Sequence, residues 1–381
     1  MEGMLPAPIV DPYAYSTPAQ RIAARMSQCL TDASHVPAPY KMQLHLTDYC
    51  NLKCVFCPTK EFIPDESLDA RRELTRERWE GLIDEAVAMG VQEFHICGGG
   101  EPFFFHEKAL AVLKRIKDHG KYGEIVTNGT LIRQETLGHL VNLGWDAIDF
   151  SVDGASPEIH DRIRGRASFQ LIVKNIARLA ELKRESGVHK PVISIYFVVC
   201  SLNYQSLPGM VRLCASLGVE RFYIQALNVW SDGIREYQLS AAQRGEFEIL
   251  MGHTMELARD LGIVTNIAPF IEHSLFDKAN SMDAAMSKEV SASKNAAILG
   301  APCYRPWYNL SILADGRTLP CYLLRDRGES CKDRSLVEVW QGAYFSLQRE
   351  GMLTNHLSND CARCNPWSFT RTLSIRQELS R

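Results

Sequence analysis

Nowhere in the 381 residues do about eighteen apolar residues run together, so no segment is suited to cross a membrane as a helix. The chain opens without the basic stretch and apolar run of a secretory signal, which predicts a cytoplasmic protein. Excess charge is also lacking. The formal net charge is -3, with no block of like charges and no basic stripe interleaved with aromatics, so neither nucleic acid nor an anionic membrane is expected as a partner. Low-complexity, collagen-like and coiled-coil repeats are absent. With 46% hydrophobic and 23% charged residues, the chain can build one large α/β domain and a smaller one. Cysteine, by contrast, is plentiful: twelve residues, which without a signal peptide argue for metal ligation in a reducing compartment rather than a disulfide framework.

Three of the twelve stand in Cys50-Asn51-Leu52-Lys53-Cys54-Val55-Phe56-Cys57, a C-x3-C-x2-C run. A structural zinc site closes four ligands, and a ferredoxin run is spaced C-x2-C-x2-C, so neither matches. Three thiolates can hold a 4Fe-4S cluster by three irons and leave the fourth iron open to a small molecule. A second set lies near the C-terminus: Cys303, Cys321 and the C-x2-C pair Cys361 and Cys364. Taken alone, that set would also suit a four-cysteine zinc knuckle. Cys29, Cys97, Cys200, Cys214 and Cys331 read by default as small buried apolar side chains. Of these, Cys331 could replace a member of the second set, and Cys97 ends a strand.

After the cysteine run come Cys97-Gly98-Gly99-Gly100-Glu101-Pro102 and then Ser151-Val152-Asp153-Gly154. In order and spacing these resemble the motifs of the radical S-adenosylmethionine (radical SAM) superfamily, over roughly residues 40–365. The resemblance implies that Cys50, Cys54 and Cys57 hold a 4Fe-4S cluster whose open iron binds SAM. One electron, from a partner such as flavodoxin or ferredoxin, would cleave SAM to a 5′-deoxyadenosyl radical that takes hydrogen from the substrate. It places Phe56 against the adenine, Gly99, Gly100 and Glu101 around the methionyl ammonium, and Arg164 at the SAM carboxylate. Ser151 and Asp153, sharing one face of a strand, would reach the ribose hydroxyls, and Asn128 is a further cofactor-binding candidate. The glycines suit this role because they let backbone pass close to a ligand. Cys303, Cys321, Cys361 and Cys364 are similar to the twitch form of the SPASM/twitch extension, which carries one auxiliary 4Fe-4S cluster. The C-x2-C-x5-C-x3-C run of the longer form is missing.

Residues 1–38 read as an N-terminal extension around a helical stretch at 19–30, too short for a leader-peptide-binding domain. Over 39–235, apolar runs alternate with amphipathic stretches, which predicts strands at 42–47, 93–97, 123–127, 147–152, 192–199 and 221–225. Helices are expected at 76–89, 107–119, 134–143, 169–186 and 207–217. The expected fold is α/β: a partial (β/α)6 TIM barrel with a small C-terminal twitch domain, a β-hairpin plus helix, around the auxiliary cluster. The motifs all follow strand ends, where parallel barrels build their active sites. Residues 236–299 read as a helical linker, with helices at 241–261 and in part of 279–299. Residues 300–366 read as the SPASM/twitch domain and 367–381 as a tail. Within the former, Asp315-Gly316 predicts a two-residue hairpin turn, and 336–348 a helix.

Strand alternation turns Gln43 and His45 into the barrel, with Leu44 and Leu46 toward the helices. Tyr196, Tyr223 and Gln225 join them, with Asn228, Trp230 and Asp232 just beyond. Such a lining favours a polar small-molecule substrate. His45, Tyr196, Cys97 and Cys200 are the catalytic candidates. The cysteine pattern most resembles the twitch-bearing aminocyclitol dehydrogenases of antibiotic biosynthesis, which implies an oxidoreductase acting on a secondary alcohol of a sugar or aminocyclitol. One rival is epimerisation with Cys97 or Cys200 returning hydrogen; another is peptide maturation, set back by the short N-terminal extension and the single auxiliary cluster. A non-enzymatic electron carrier would not cleave SAM, and the C-x3-C spacing followed by Gly-Gly-Glu argues against it.

Overall fold

The structure is a computed structural model describing residues 19–32, 34–57, 67–229, 231–272, 296–324, 328–364 and 366–381. Among the described residues the strands are β1 Lys41–Leu44, β2 Glu93–Ile96, β3 Tyr122–Thr127, β4 Ala147–Ser151, β5 Val192–Val199, β6 Arg221–Ala226, β7 Val264–Thr265, β8 Asn309–Ile312, β9 Arg317–Leu319 and β10 Glu329–Ser330. They form one sheet in the order β10-β9-β8-β1-β2-β3-β4-β5-β6-β7. From β8 through β7 every neighbouring pair is parallel, and β8-β9-β10 are antiparallel. Sequential parallel order with helical crossovers gives an open partial barrel, to which an antiparallel hairpin is joined.

Alternation sorts the side chains. Met42, Leu44, Phe94, Ile96, Ile148 and Phe150 pack outward with helix residues such as Trp79, Leu82, Leu113 and Ile176 in one buried apolar cluster. Each such side chain contributes about 1.5–3 kcal/mol on burial. The intervening Gln43, His95, Glu124 and Asp149 are left for the inner face. The helices between strands are delimited by local signals. Arg76–Met89 begins where the Thr75 side chain accepts from Arg78 N and ends at Gly90, whose φ of +99° suits a residue without Cβ.

The structure differs from the sequence expectation in several elements. β7 adds a seventh strand beyond the six expected for the barrel. The hairpin turn is not a two-residue one, which would need positive φ at both central residues. Only Gly316 takes positive φ there (+88°), in a turn closed by Gly316 N donating to Leu313 O (2.9 Å) and Leu313 N to Arg317 O (2.8 Å). The helix expected at 336–348 is two, Leu336–Trp340 and Ala343–Thr354, parted at Gly342, where a Cβ would lie 2.8 Å from Glu329 Oε2. Pro157–Arg164 is a helix that sequence reading did not assign. Residues expected as a C-terminal tail form the helix Pro366–Leu379; its Ile375 and Leu379 share an apolar cluster with Ile22 and Met26 of Ala19–Met26. Of the expected helix at 279–299, only Ala296–Leu299 falls within the described residues.

Candidate active site

The loop carrying Cys50, Cys54 and Cys57 follows β1 and is held on three sides. Against the β2 loop, Gly100 N donates to Thr47 O (2.6 Å) and Glu101 N to Tyr49 O (2.8 Å). Against the end of Pro157–Arg164, Val55 N donates to Ile163 O (2.9 Å) and Lys53 N to Arg164 O (3.3 Å). Against the β3 loop, Asn51 Nδ2 donates to Thr130 Oγ1 (2.8 Å), and Asn128 Nδ2 to Asn51 Oδ1 (3.0 Å) with Cys50 Sγ at 3.8 Å. Glu73 clasps the loop's base, accepting from Thr47 Oγ1 (2.7 Å) and Asp48 N (2.9 Å). The three thiols act electrostatically on one another, and burial pushes Cys50 up to about 11, so loading metal must displace protons.

The glycines after β2 have separate uses. Gly98 and Gly99 take φ of +87° and +67° and line the cavity that Cys54 and Cys57 face, while Cys50 stands behind that lining. Gly100 instead lies against the cysteine loop, where a Cβ would stand 1.9 Å from the Tyr49 carbonyl oxygen. That contact is backbone, so it cannot rotate away. Gly100→Ala should therefore cost more than about 4 kcal/mol or fail to take up iron, measured by urea unfolding and iron content; near-parental values for both would refute the close approach.

Three cofactor candidates stand otherwise than expected. Glu101 is buried and spends its carboxylate inside the protein, on Thr127 Oγ1 (2.6 Å), Asn128 N (2.8 Å) and Phe103 N (3.3 Å). It ties the β2 loop to the β3 loop and does not line the cavity. Asp153 is fully buried, because β4 ends at Ser151 and the two-residue alternation stops with it. Its carboxylate pairs with Arg164 (2.5 Å) and accepts from Val198 N (2.8 Å), while Ser151 does face the cavity. Asn128 Oδ1 accepts from Thr130 N (2.9 Å) and Oγ1 (2.7 Å), so this side chain fastens loops and also stays out of the cavity lining.

Burial lifts the Glu101 carboxyl from its ordinary 4.5 to about 7 despite its three donors. The native apoprotein therefore binds a proton that the unfolded chain releases, and this group's contribution to stability should fall as pH rises between those values. Melting the apoprotein across that window should show a slope that flattens in Glu101→Gln; an equal slope in both would refute the assignment.

Arg164 lines the cavity, with its Nη1 3.6 Å from Cys54 Sγ. Burial opposes its charge, but Asp153 and Cys54 outweigh that and hold the guanidinium ionised. Phe56 also lines the cavity, backed by Ile163 and Ile234.

The cavity has a volume of about 490 Å³ and is walled by inward residues of successive strands. Gln43, His45, Cys97, Tyr196, Gln225 and Asn228 all reach it. Tyr223 stacks edge-on to Tyr196 (5.3 Å) outside the lining, Asp232 is exposed and pairs with Arg235, and Trp230 lies outside the described residues. Cys200, the other expected hydrogen donor, is fully buried beside Phe56 and Ile163 and does not line the cavity. Cys97 does, and burial pushes it up to about 12, so it stays a thiol.

Sequence reading missed the floor. Lys41, His95 and Glu124 line it, with His95 Nδ1 3.3 Å from Glu124 Oε1. Burial disfavours the Glu124 carboxylate, but His95 and Lys41 more than compensate and hold it below its ordinary range. The signal was available, because these positions continue the alternation that picked out Gln43 and His45. Tyr322, also missed, lines the same cavity, hydrogen-bonds Asn228, and adjoins Cys321 in the chain.

Cys303, Cys321, Cys361 and Cys364 converge on a second, apolar cavity with Pro302, Pro306, Leu323 and Leu324. Burial pushes Cys303 and Cys361 up to about 12. Cys331 is elsewhere, in the main core, its carbonyl held by Arg78. Cys331→Ala should therefore keep all iron at a cost of about 1–3 kcal/mol, whereas Cys361→Ala should lose the second centre; iron loss in the former would reverse the assignment. Among the described residues no three His, Cys, Asp or Glu side chains close around a single ion. Soft sulfur donors around two pockets, one trio and one quartet, fit iron-sulfur clusters.

The model of the radical SAM superfamily matches residues 44–214, and that of the SPASM iron-sulfur cluster-binding domain matches 303–365. A relative from Rhizobium meliloti, named PqqA peptide cyclase, is 30% identical over 355 residues, covering 89% of this chain and 84% of its own. The chain belongs to the radical SAM superfamily. A second PqqA peptide cyclase, from Ruegeria pomeroyi, is 26% identical over 340 residues, covering 87% of this chain and 80% of its own. Among solved structures, Streptococcus suis SuiB shares the fold with a TM-score of 0.64 at 17% identity, covering 91% of this chain and 75% of that one. As a radical SAM enzyme the protein uses a 4Fe-4S cluster with SAM, and its SPASM region carries an auxiliary iron-sulfur cluster. Among the described residues of this radical SAM protein, no helix is long and apolar enough to cross a membrane.

Proposed function

We propose that this radical SAM enzyme matures a peptide, taking hydrogen from a residue held in the strand-walled cavity. What supports the reading is that relatives aligned along most of the chain, one at 30% identity, carry the name PqqA peptide cyclase. The aminocyclitol reading rested on the C-terminal cysteine pattern, the short N-terminal extension and the polar lining, but polar walls of Gln43, Tyr196, Gln225 and Asn228 suit a peptide's amides as well as a polyol's hydroxyls. In this reading Cys50, Cys54 and Cys57 would hold the SAM-binding cluster, and Cys303, Cys321, Cys361 and Cys364 the auxiliary one. Bound there, the first cluster with SAM supplies a carbon-centred radical able to remove a hydrogen atom. Gly98 and Gly99 open space beside the thiolates, Arg164 offers a fixed cation to a carboxylate, Ser151 a hydroxyl, and Phe56 an apolar wall. Tyr196 and His45 lie where they could orient a substrate or receive a proton.

The test is to incubate reconstituted enzyme, SAM and reductant with a panel of short peptides carrying deuterated side chains, drawn from reading frames flanking the gene, and in parallel with deuterated aminocyclitols. Deuterium should appear in 5′-deoxyadenosine, and a mass change in product, from a peptide. Transfer from an aminocyclitol and none from any peptide would overturn the proposal.

A further inference from the structure

Arg305 is two residues from Cys303 and lines the same cavity as all four C-terminal thiols. Its backbone N donates to Cys303 Sγ (3.4 Å). Apart from the cysteines, the described lining is proline, leucine, methionine and threonine, so Arg305 brings its one fixed charge. Asp360, beside Cys361 in the chain, acts on that thiol from outside the lining with the opposite sign. The guanidinium's electrostatic partners are Cys321, Tyr308, Cys303 and Tyr322, and its field reaches Cys97 in the substrate cavity.

A cluster held by four thiolates is anionic, and each added electron makes it more so. In a dry apolar cavity a neighbouring cation stabilises the reduced state far more than it would in water, and cluster potentials respond to such local charge. We propose that Arg305 is the charge-compensating residue of the auxiliary cluster, raising its reduction potential so that it accepts an electron more readily. This assignment concerns the cluster's thermodynamics and is independent of whether the substrate is a peptide. Arg305 acts through the cluster, so it is a positioning residue and not a catalytic one.

The test is a redox titration of the reconstituted protein followed by EPR, reading the auxiliary signal as the one unchanged on adding SAM. Arg305→Met removes the charge but leaves the backbone N–H on Cys303, and should lower the midpoint by at least tenfold in the one-electron equilibrium constant, about 59 mV. Arg305→Lys, which restores a cation, should return most of that shift. A midpoint in Arg305→Met equal to the parent's, at equal iron content, would overturn the proposal. Should Arg305→Met lose the auxiliary iron, Arg305→Gln is judged by the same potential. Loss of iron from both neutral variants but not from the lysine variant would support the need for a cation, and loss from all three would overturn it.

Discussion

Cys54→Ala should leave a folded protein with roughly half of the parental iron and no SAM cleavage above the protein-free background. The trio has no spare ligand. Cys50 and Cys57 lie at the two ends of the loop, and among the described residues the other cysteine lining the cavity, Cys97, is a half-buried thiol just past β2. The loop itself should survive, because its attachments to Gly100, Glu101, Ile163 and Arg164 run through backbone atoms. The remaining iron should be the auxiliary cluster, since Cys303, Cys321, Cys361 and Cys364 line a separate cavity. Iron and sulfide assays, EPR with and without SAM, and chromatography of 5′-deoxyadenosine would read each part. Full iron content with sustained cleavage would remove the trio from the chemistry.

The second large effect belongs to Arg164→Met. The guanidinium meets Asp153, a fully buried carboxylate, and touches Cys54 Sγ. Removing it strands a charge in the core, which costs about 3–5 kcal/mol, far above the value of a surface pair. Urea unfolding of the apoprotein should show that loss, and binding of SAM to the reconstituted enzyme should weaken as well. Adding Asp153→Asn should recover much of the stability, because the pair is then absent rather than broken, but should not restore SAM binding. If Arg164→Met is as stable as the parent, the pair is not what holds Pro157–Arg164 against the cysteine loop.

Much of the barrel was legible because its signals are local. Arg76–Met89 and Leu207–Leu217 end at glycines in left-handed geometry, and the apolar run of β5 is bounded sharply by the Pro191 that precedes it. The two cysteine sets were legible for the same reason, since spacing within a loop survives folding. What lay outside local patterns was missed. Nothing near residue 309 announces that β8 will lie parallel to a strand more than 260 positions earlier. The aim of a side chain just past a strand end was equally hidden: alternation predicts Ser151 but fails two residues later, where Asp153 turns inward to Arg164. Glu101 illustrates the limit of motif reading. A carboxylate beside glycines suits an ammonium ligand, yet here three internal donors claim it. Substrate class was the least legible, since the same amide and hydroxyl groups can wall a pocket for a polyol or for a peptide.

β1 sits between β8 and β2, and His45 just beyond it donates its backbone N–H to Ile312 O (2.9 Å). During synthesis, then, the strand that seats the first cysteine loop gains one flank early and the other only after residue 312 has left the ribosome. Until that moment its open side is an unpaired edge, ready to associate with other chains. Productive delivery of iron to Cys50, Cys54 and Cys57 is thereby tied to synthesis of β8, and a chain cut short before β8 should aggregate rather than assemble a half-working enzyme.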